Sequence, residues 1–341
     1  MTVHTARMNN STTPCSIHTR KKNPSSCRSS GLDDAGNRAA ETAVFACRRA
    51  TRTASLTVLL ALVAIAPCLA DGTSPPVPDS SSSPGPVADY FKNWFQRVSA
   101  TQAEQPHWIT PLVTVTPRLE EEVRYDIYRE EVSNGHILDV FGTGKGLELI
   151  PAEHVEVIIA LPSWETEDVS PNKHGWADQP FLLKYRWLSA NEENGNYILT
   201  TFLGLSAPWG DETFTSHHYA WTPTIALGKG WGDFDIQSTA GVSIPDNGVV
   251  PNEAGTPVSL NTTFQYRLLK VIWPELETNY TYYPNGEHAY KNQLLLTPGV
   301  VLGRFSIWER AALTVGVGYQ VAVTSDPLVR NNFILSGRVP F

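Results

Sequence analysis

The sequence predicts an all-β protein: a closed antiparallel transmembrane β-barrel of about 12 strands, with a short N-terminal periplasmic helix. Three observations predict it. First, long segments alternate apolar and polar residues with period two, the repeat of a strand. "FLLKYRWL" separates Phe181, Leu183, Tyr185 and Trp187 from Lys184 and Arg186, and "LTVGVGYQVAV" separates Leu313, Val315, Val317 and Tyr319 from Thr314, Gly316, Gly318 and Gln320. The longer apolar faces persist for about 9–11 residues, enough for a tilted strand to cross a bilayer, whereas sandwich strands run to about 5–6. Second, aromatic residues gather at segment ends (Tyr185, Trp187, Tyr219, Trp221, Trp231, Trp308), as in interfacial girdles. Third, charges lie on the face opposite the apolar one. Turning Lys184 or Arg186 toward lipid would cost roughly 2–4 kcal/mol each at mid-membrane, so the two faces meet different surroundings.

Composition narrows the function classes. All four cysteines and both methionines of the 341 residues fall within the first 70, so the remainder has no thiol nucleophile, disulfide framework or cysteine metal site. Residues 1–70 hold 9 of the 26 Lys+Arg but only 3 of the 34 Asp+Glu. The body is therefore acidic, which argues against a nucleic-acid partner. No cofactor or metal is predicted.

Residues 1–70 form the leader. "RRATRTASLTVLLALVAIAPCLADG" has the parts of a signal peptide at about residues 44–70: Arg48, Arg49 and Arg52, an apolar run from Leu56 to Ala66, and small residues before Asp71. The run is shorter than the roughly 20 residues of a spanning helix. Residues 1–43 are polar, lack periodicity and do not belong before a signal, which suggests that translation starts near Val44. Residues 71–117 comprise a Ser/Pro linker, "DGTSPPVPDSSSSPGP", and an amphipathic helix in "VADYFKNWFQRVSA". Tyr90, Phe91, Trp94, Phe95 and Val98 share one helix face, which could lie on a membrane, plug a pore or pack on the body.

Residues 118–341 form the barrel. Strands are expected at 118–130, 137–150, 154–162, 180–188, 196–207, 219–228, 233–244, 258–268, 274–283, 292–303, 311–323 and 332–341. "TPLVTVTP" (110–117) has no assigned place: it either pairs with a strand or folds inside. Short links such as "GKGWGD" alternate with long polar ones such as "PSWETEDVSPNKHGWADQ" and "APWGDETFTSHH", the asymmetry of periplasmic turns and outer loops. In "NNFILSGRVPF", apolar residues at every second position identify the closing strand, because an unpaired edge in lipid leaves peptide groups unsatisfied. Phe341 and Val339 also resemble the C-terminal signal that outer-membrane proteins present to the barrel assembly machinery.

The inward faces carry the candidate functional residues. Arg124, Asp126, Lys184, Arg186, Asp235, Gln237, Gln265, Arg267, Glu275, Glu277, Gln320 and Arg338 are expected to line the lumen. Two readings stand open: a paired, solid interior, or a narrow pathway whose charge ladders select a solute. "FGTGKG" fails the phosphate-cradle spacing. "SHHY" (Ser216, His217, His218) offers metal ligands or a Ser–His hydrolase, but adjacent strand residues point oppositely, and a solvated loop is the simpler reading. Glu120, Glu121 and Glu122 read as solvated charge at a strand entrance.

"GKGLELIPAEHVEVIIALP", "PFLLKYRWLSANEENGNYILTTFLGLSAPWG", "GKGWGDFDIQSTAGVSIPDNG" and "LTVGVGYQVAV" resemble outer-membrane barrels assigned to transport in the meta-pathway of phenol degradation. The resemblance covers roughly residues 105–341. It implies a barrel that passes small, often aromatic or hydrophobic molecules, and it brings no catalytic motif. The expected function is passive passage of a small-molecule solute across the bacterial outer membrane, with outer-membrane lipid and the assembly machinery as partners. A non-conducting structural or adhesion barrel acting through its outer loops is the alternative, and a barrel hydrolase the third reading.

Overall fold

A computed structural model describes residues 86–143, 145–246 and 255–341. The leader, the signal peptide and the linker up to residue 85 lie outside the described residues. Two short helices, α1 (Pro86–Lys92) and α2 (Trp94–Ala103), precede the wall. The strands are β1 (Glu122–Val132), β2 (Ile137–Phe141), β3 (Gly146–Ala152), β4 (Val155–Ala160), β5 (Trp164–Glu167), β6 (Lys173–Trp176), β7 (Gln179–Ala190) and β8 (Tyr197–Ala207). They continue as β9 (Ala220–Trp231), β10 (Phe234–Val242), β11 (Ile244–Pro245), β12 (Val258–Tyr266), β13 (Ile272–Tyr282), β14 (Asn292–Ser306), β15 (Ala312–Ala322) and β16 (Val329–Pro340).

These strands make a closed barrel of 12 antiparallel staves. Four staves are broken: β2 continues β3, β4 continues β5, β6 continues β7, and β11 continues β10. Closure runs along the β1–β16 ladder from Glu122↔Pro340 through Arg124↔Arg338 to Val132↔Val329. With every stave paired on both sides, no edge is left in lipid. The period-two pattern fixes the register, since a one-residue slip would turn Lys184 and Arg186 outward.

The side chains are distributed inside out relative to a soluble domain. Leu183, Leu203, Leu227, Leu260, Leu276 and Leu335 are exposed, whereas Arg124, Lys184, Gln237, Glu277 and Arg338 are buried. An apolar exterior around a polar interior is the surface of a transmembrane barrel. Turns 153–154, 191–196, 232–233, 267–271 and 307–311 sit at the end where β1 begins and β16 finishes. The longer connections, such as 208–219 and 283–291, sit at the other end.

Three expectations need correction. The first strand begins at Glu122, not 118, because residues 118–121 turn into the lumen. The segment after Pro162 is not all loop: β5 and β6 form a hairpin closed by the Trp164–Trp176 pair, with ring centroids 5.1 Å apart. Four-residue strands are too short for a period-two repeat to stand out. The second stave, expected as one strand over 137–150, is broken between Phe141 and Gly146. Gly142 has φ +82°, and a Cβ on Gly146 would lie 2.6 Å from the Ile159 carbonyl oxygen.

Candidate functional site

After α2 the chain enters the barrel, and residues 104–121 run through the lumen. Pro106, Pro111 and Pro117 favour an extended course and lack donors. An extended segment without a sheet partner must still satisfy its other peptide groups. The wall does this with side chains. The Leu112 N–H donates to Glu275 at 3.0 Å, and the Val113 and Thr114 N–H groups donate to the two oxygens of Glu277 at 2.7 and 2.6 Å. Arg124 donates to the carbonyls of Pro111 and Leu112, and Arg338 to those of Thr110 and Pro111. Gln237 reaches the Ile109 carbonyl at 3.1 Å, Lys184 that of Arg118 at 3.1 Å, and Thr200 that of Pro117 at 2.6 Å. Guanidinium groups suit this task because each presents five donors in a fixed fork.

Shape holds the segment as well as polarity. The Leu112 methyls lie where side chains on β14 and β15 would be: a Cβ on Gly299, Gly316 or Gly318 would stand 2.5, 2.6 or 2.7 Å from them. The Trp108 ring lies similarly against β9, where a Cβ on Gly228 would come within 2.4 Å. Inward-facing glycines thus carve two sockets in the wall, one for a leucine and one for an indole. Trp108, Ile109 and Leu112 join Ile198, Trp273, Val301 and Ile334 in an apolar cluster inside the barrel.

Most of the other residues expected in the lumen are also buried and hydrogen-bonded. Asp126 pairs with Arg124 at 2.8 Å. Gln265 links Gln237 (2.9 Å) to Glu275 (2.5 Å), and Asp235 accepts from Gln237 at 3.1 Å. Arg186 donates to the Thr101 carbonyl at 2.7 Å and pairs with Glu104 at 3.1 Å, tying the end of α2 to β7. Gln320 belongs to a hydrogen-bonded chain of Asn261, Asn279, Thr297 and Asn332 around the lumen. Arg267 is the exception. It sits beyond the end of β12, pairs with Asp233 at 2.7 Å, and lines a rim cavity of about 430 Å³ with Glu192, Asn196 and Gly230. Near that rim, His107 bonds Glu192 at 2.8 Å. Burial pushes the Glu192 carboxyl up, but its hydrogen bonds from His107 outweigh this and hold it below the usual range.

The glutamates at 120–122 are not solvated. All three are buried: Glu120 pairs with Arg118 at 2.6 Å, and Glu121 accepts from the Trp94 indole N–H at 2.5 Å. The Phe341 N–H donates to the Glu121 carbonyl at 3.0 Å, so the end of the closing strand is tied to the inner segment. In the outer loop, Ser216 Oγ lies within donating distance of both Asp178 Oδ2 (2.5 Å) and the His218 carbonyl oxygen (2.9 Å). Sequence reasoning missed the inner segment's seat. The signal available for it was the set of glycines at inward strand positions.

The fold and its two faces define a transmembrane β-barrel of the outer-membrane type. No family model matches the sequence, and no curated protein matches it. Among solved structures, it is similar to the COG4313 outer membrane channel from Pseudomonas putida F1, at 12% identity over 64% of this chain and 94% of that one, with a TM-score of 0.44. It is also similar to the β domain of the Bordetella autotransporter BrkA (15% identity, 64% and 98% covered, TM-score 0.38). A third is OmpF of Salmonella typhi (9% identity, 64% and 96% covered, TM-score 0.30). Likeness at these levels does not extend to function.

Proposed function

We propose that the protein is a bacterial outer-membrane barrel for passive passage of small molecules, closed in this conformation by its own inner segment. One observation carries the reading. The β1–β16 ladder takes no strand from residues 104–121, although the Phe341 N–H reaches the Glu121 carbonyl at its end, so the segment that fills the lumen is separable from the strands that form the barrel. Passage then requires the inner segment to shift. Small aromatic or hydrophobic solutes are the proposed cargo, on the strength of the sequence resemblance to barrels of phenol degradation. Export through a cleaved signal peptide at about residues 44–70 belongs to the same reading, as does recognition of Phe341 and Val339 by the assembly machinery. Removing Phe341 should then slow insertion in a reconstituted assembly assay, and unchanged insertion would remove that role.

A second reading, a non-conducting structural barrel, is favoured by how tightly the middle of the lumen is filled: Thr200, Glu277 and Asn332 are fully buried. Planar-bilayer conductance separates the two. The passage reading expects openings of the intact chain and solute entry into liposomes. An intact chain that stays sealed at every potential and to every solute would leave the structural reading.

A further inference from the structure

Residues 104–121 hang in the lumen as a loop whose two ends lie on one side. α2 precedes them and β1 follows, and both sit at the end that carries turns 191–196 and 307–311. A shift of the segment out of the lumen toward that end must pass α2. The helix is tied to the rim at two places. Near its start, Arg310 lies over the Phe95 ring at 4.5 Å and donates to the Phe95 carbonyl at 3.5 Å and to Ser99 Oγ at 3.2 Å. At its finish, Arg186 donates to the Thr101 carbonyl at 2.7 Å and pairs with Glu104 at 3.1 Å. Ser189 Oγ and the Asn191 amide donate there too, to the Glu104 and Ala103 carbonyls at 2.8 and 3.1 Å. Arg310 belongs to the turn between β14 and β15, and Asn191 to the turn between β7 and β8. In a wall of 12 staves these turns are opposite each other. β8, β9, β10, β12, β13 and β14 separate them on one side, and the other six staves on the other.

The ties therefore carry α2 across the mouth from rim to rim. Its buried face rests on the returning limb of the inner segment: Val98 packs on Leu119 and on Ile150 of β3, and the Trp94 indole N–H donates to Glu121 at 2.5 Å. From these placements, and resting on the passage reading above, we propose that α2 is a strap that keeps the inner segment in the lumen, and that Arg310 is its releasable latch. The two ends are unequal. Arg186 is buried, whereas Arg310 and Phe95 are exposed. A cation over an exposed ring holds weakly, so the Arg310 end yields first and the helix swings about Thr101 to Glu104. A single helix, about 10–12 Å across, acts here by holding the segment beneath it and not by sealing the pore.

The test counts openings of the full chain in planar bilayers. Arg310→Ala should open roughly two- to fivefold more often than wild type, and Arg310→Lys, which keeps a cation over Phe95, should stay closer to wild type. A second arm replaces Cys15, Cys27, Cys47 and Cys68 with serine and introduces Ser99→Cys with Arg310→Cys. Unbridged, this chain should open as often as Arg310→Ala, and a short bis-maleimide joining the two thiols should suppress its openings. Glu277→Ala, which removes the acceptor of the Val113 and Thr114 N–H groups, loosens the inner segment without touching the strap. An Arg310→Ala chain that opens no more often than wild type, or a bridged chain that opens as freely as the unbridged one, would overturn the strap. Openings of Glu277→Ala would show that the passage reading survives that result. No openings in any of these chains would overturn the passage reading, and the strap with it.

Discussion

Arg124 shows how one residue serves both the wall and the lumen. Its guanidinium is buried, neutralised by Asp126 two residues along the same strand, and it spends its other donors on the Pro111 and Leu112 carbonyls. Removing Asp126 leaves a buried charge unpaired, which costs on the order of 3–5 kcal/mol. Asp126→Ala should therefore lower the thermal unfolding midpoint markedly, and an unchanged melt would contradict the pairing. The glycine sockets give a cleaner test. Gly318→Leu should overpack against Leu112 by about 1–3 kcal/mol, and adding Leu112→Ala should restore much of the loss. Failure of the second change to rescue the first would show that Leu112 is seated elsewhere. The His107–Glu192 tie adds a pH dependence. The Glu192 carboxyl is held below its usual range, so its contribution is present at neutral pH and lost as pH falls through that lowered value. The stability gap between wild type and Glu192→Gln should be present at pH 7 and vanish on strong acidification. A gap that persists in acid would reject the tie.

At the scale of elements, strands were more legible than the segment they enclose. Period-two alternation located the staves to within a few residues, because two unlike solvents impose it on every one. It also put Gly316 and Gly318 on the inward face without revealing why. The seat of residues 104–121 was illegible for a physical reason. Leu112 meets Glu275, and Thr114 meets Glu277, across the lumen from strands far along the chain. No local periodicity encodes which groups face each other across a cylinder. For the same reason Glu120 to Glu122 looked like surface charge: a glutamate's sequence neighbours do not disclose that Arg118 and Trp94 will bury it. The inner segment is held by side chains and not by a sheet ladder, so one wall residue can loosen it. Glu277→Ala leaves the Val113 and Thr114 N–H groups without their acceptor, at about 1–3 kcal/mol each if they stay buried. Hydrogen exchange should accelerate at residues 112–114 while the β1 and β16 amides stay protected. Equal acceleration in the wall would mean that segment and wall are a single unit.

At the scale of the whole molecule, the barrel solves two separate problems. The outer surface meets hydrocarbon with alternate apolar side chains, and the last ladder, β1 against β16, removes the edge that lipid would not tolerate. The inner surface is polar and would be solvated in an open pore, but here many of its charged groups hold the backbone of residues 104–121. The central claim is that this segment fills a finished barrel and does not help to build it. The most direct measurement is single-channel conductance in a planar bilayer of the intact chain beside a variant lacking residues 104–117. The account predicts that the variant still folds to a heat-resistant barrel and conducts persistently, while the intact chain opens only rarely. A variant that cannot fold, or one that folds and remains as closed as the intact chain, would contradict it.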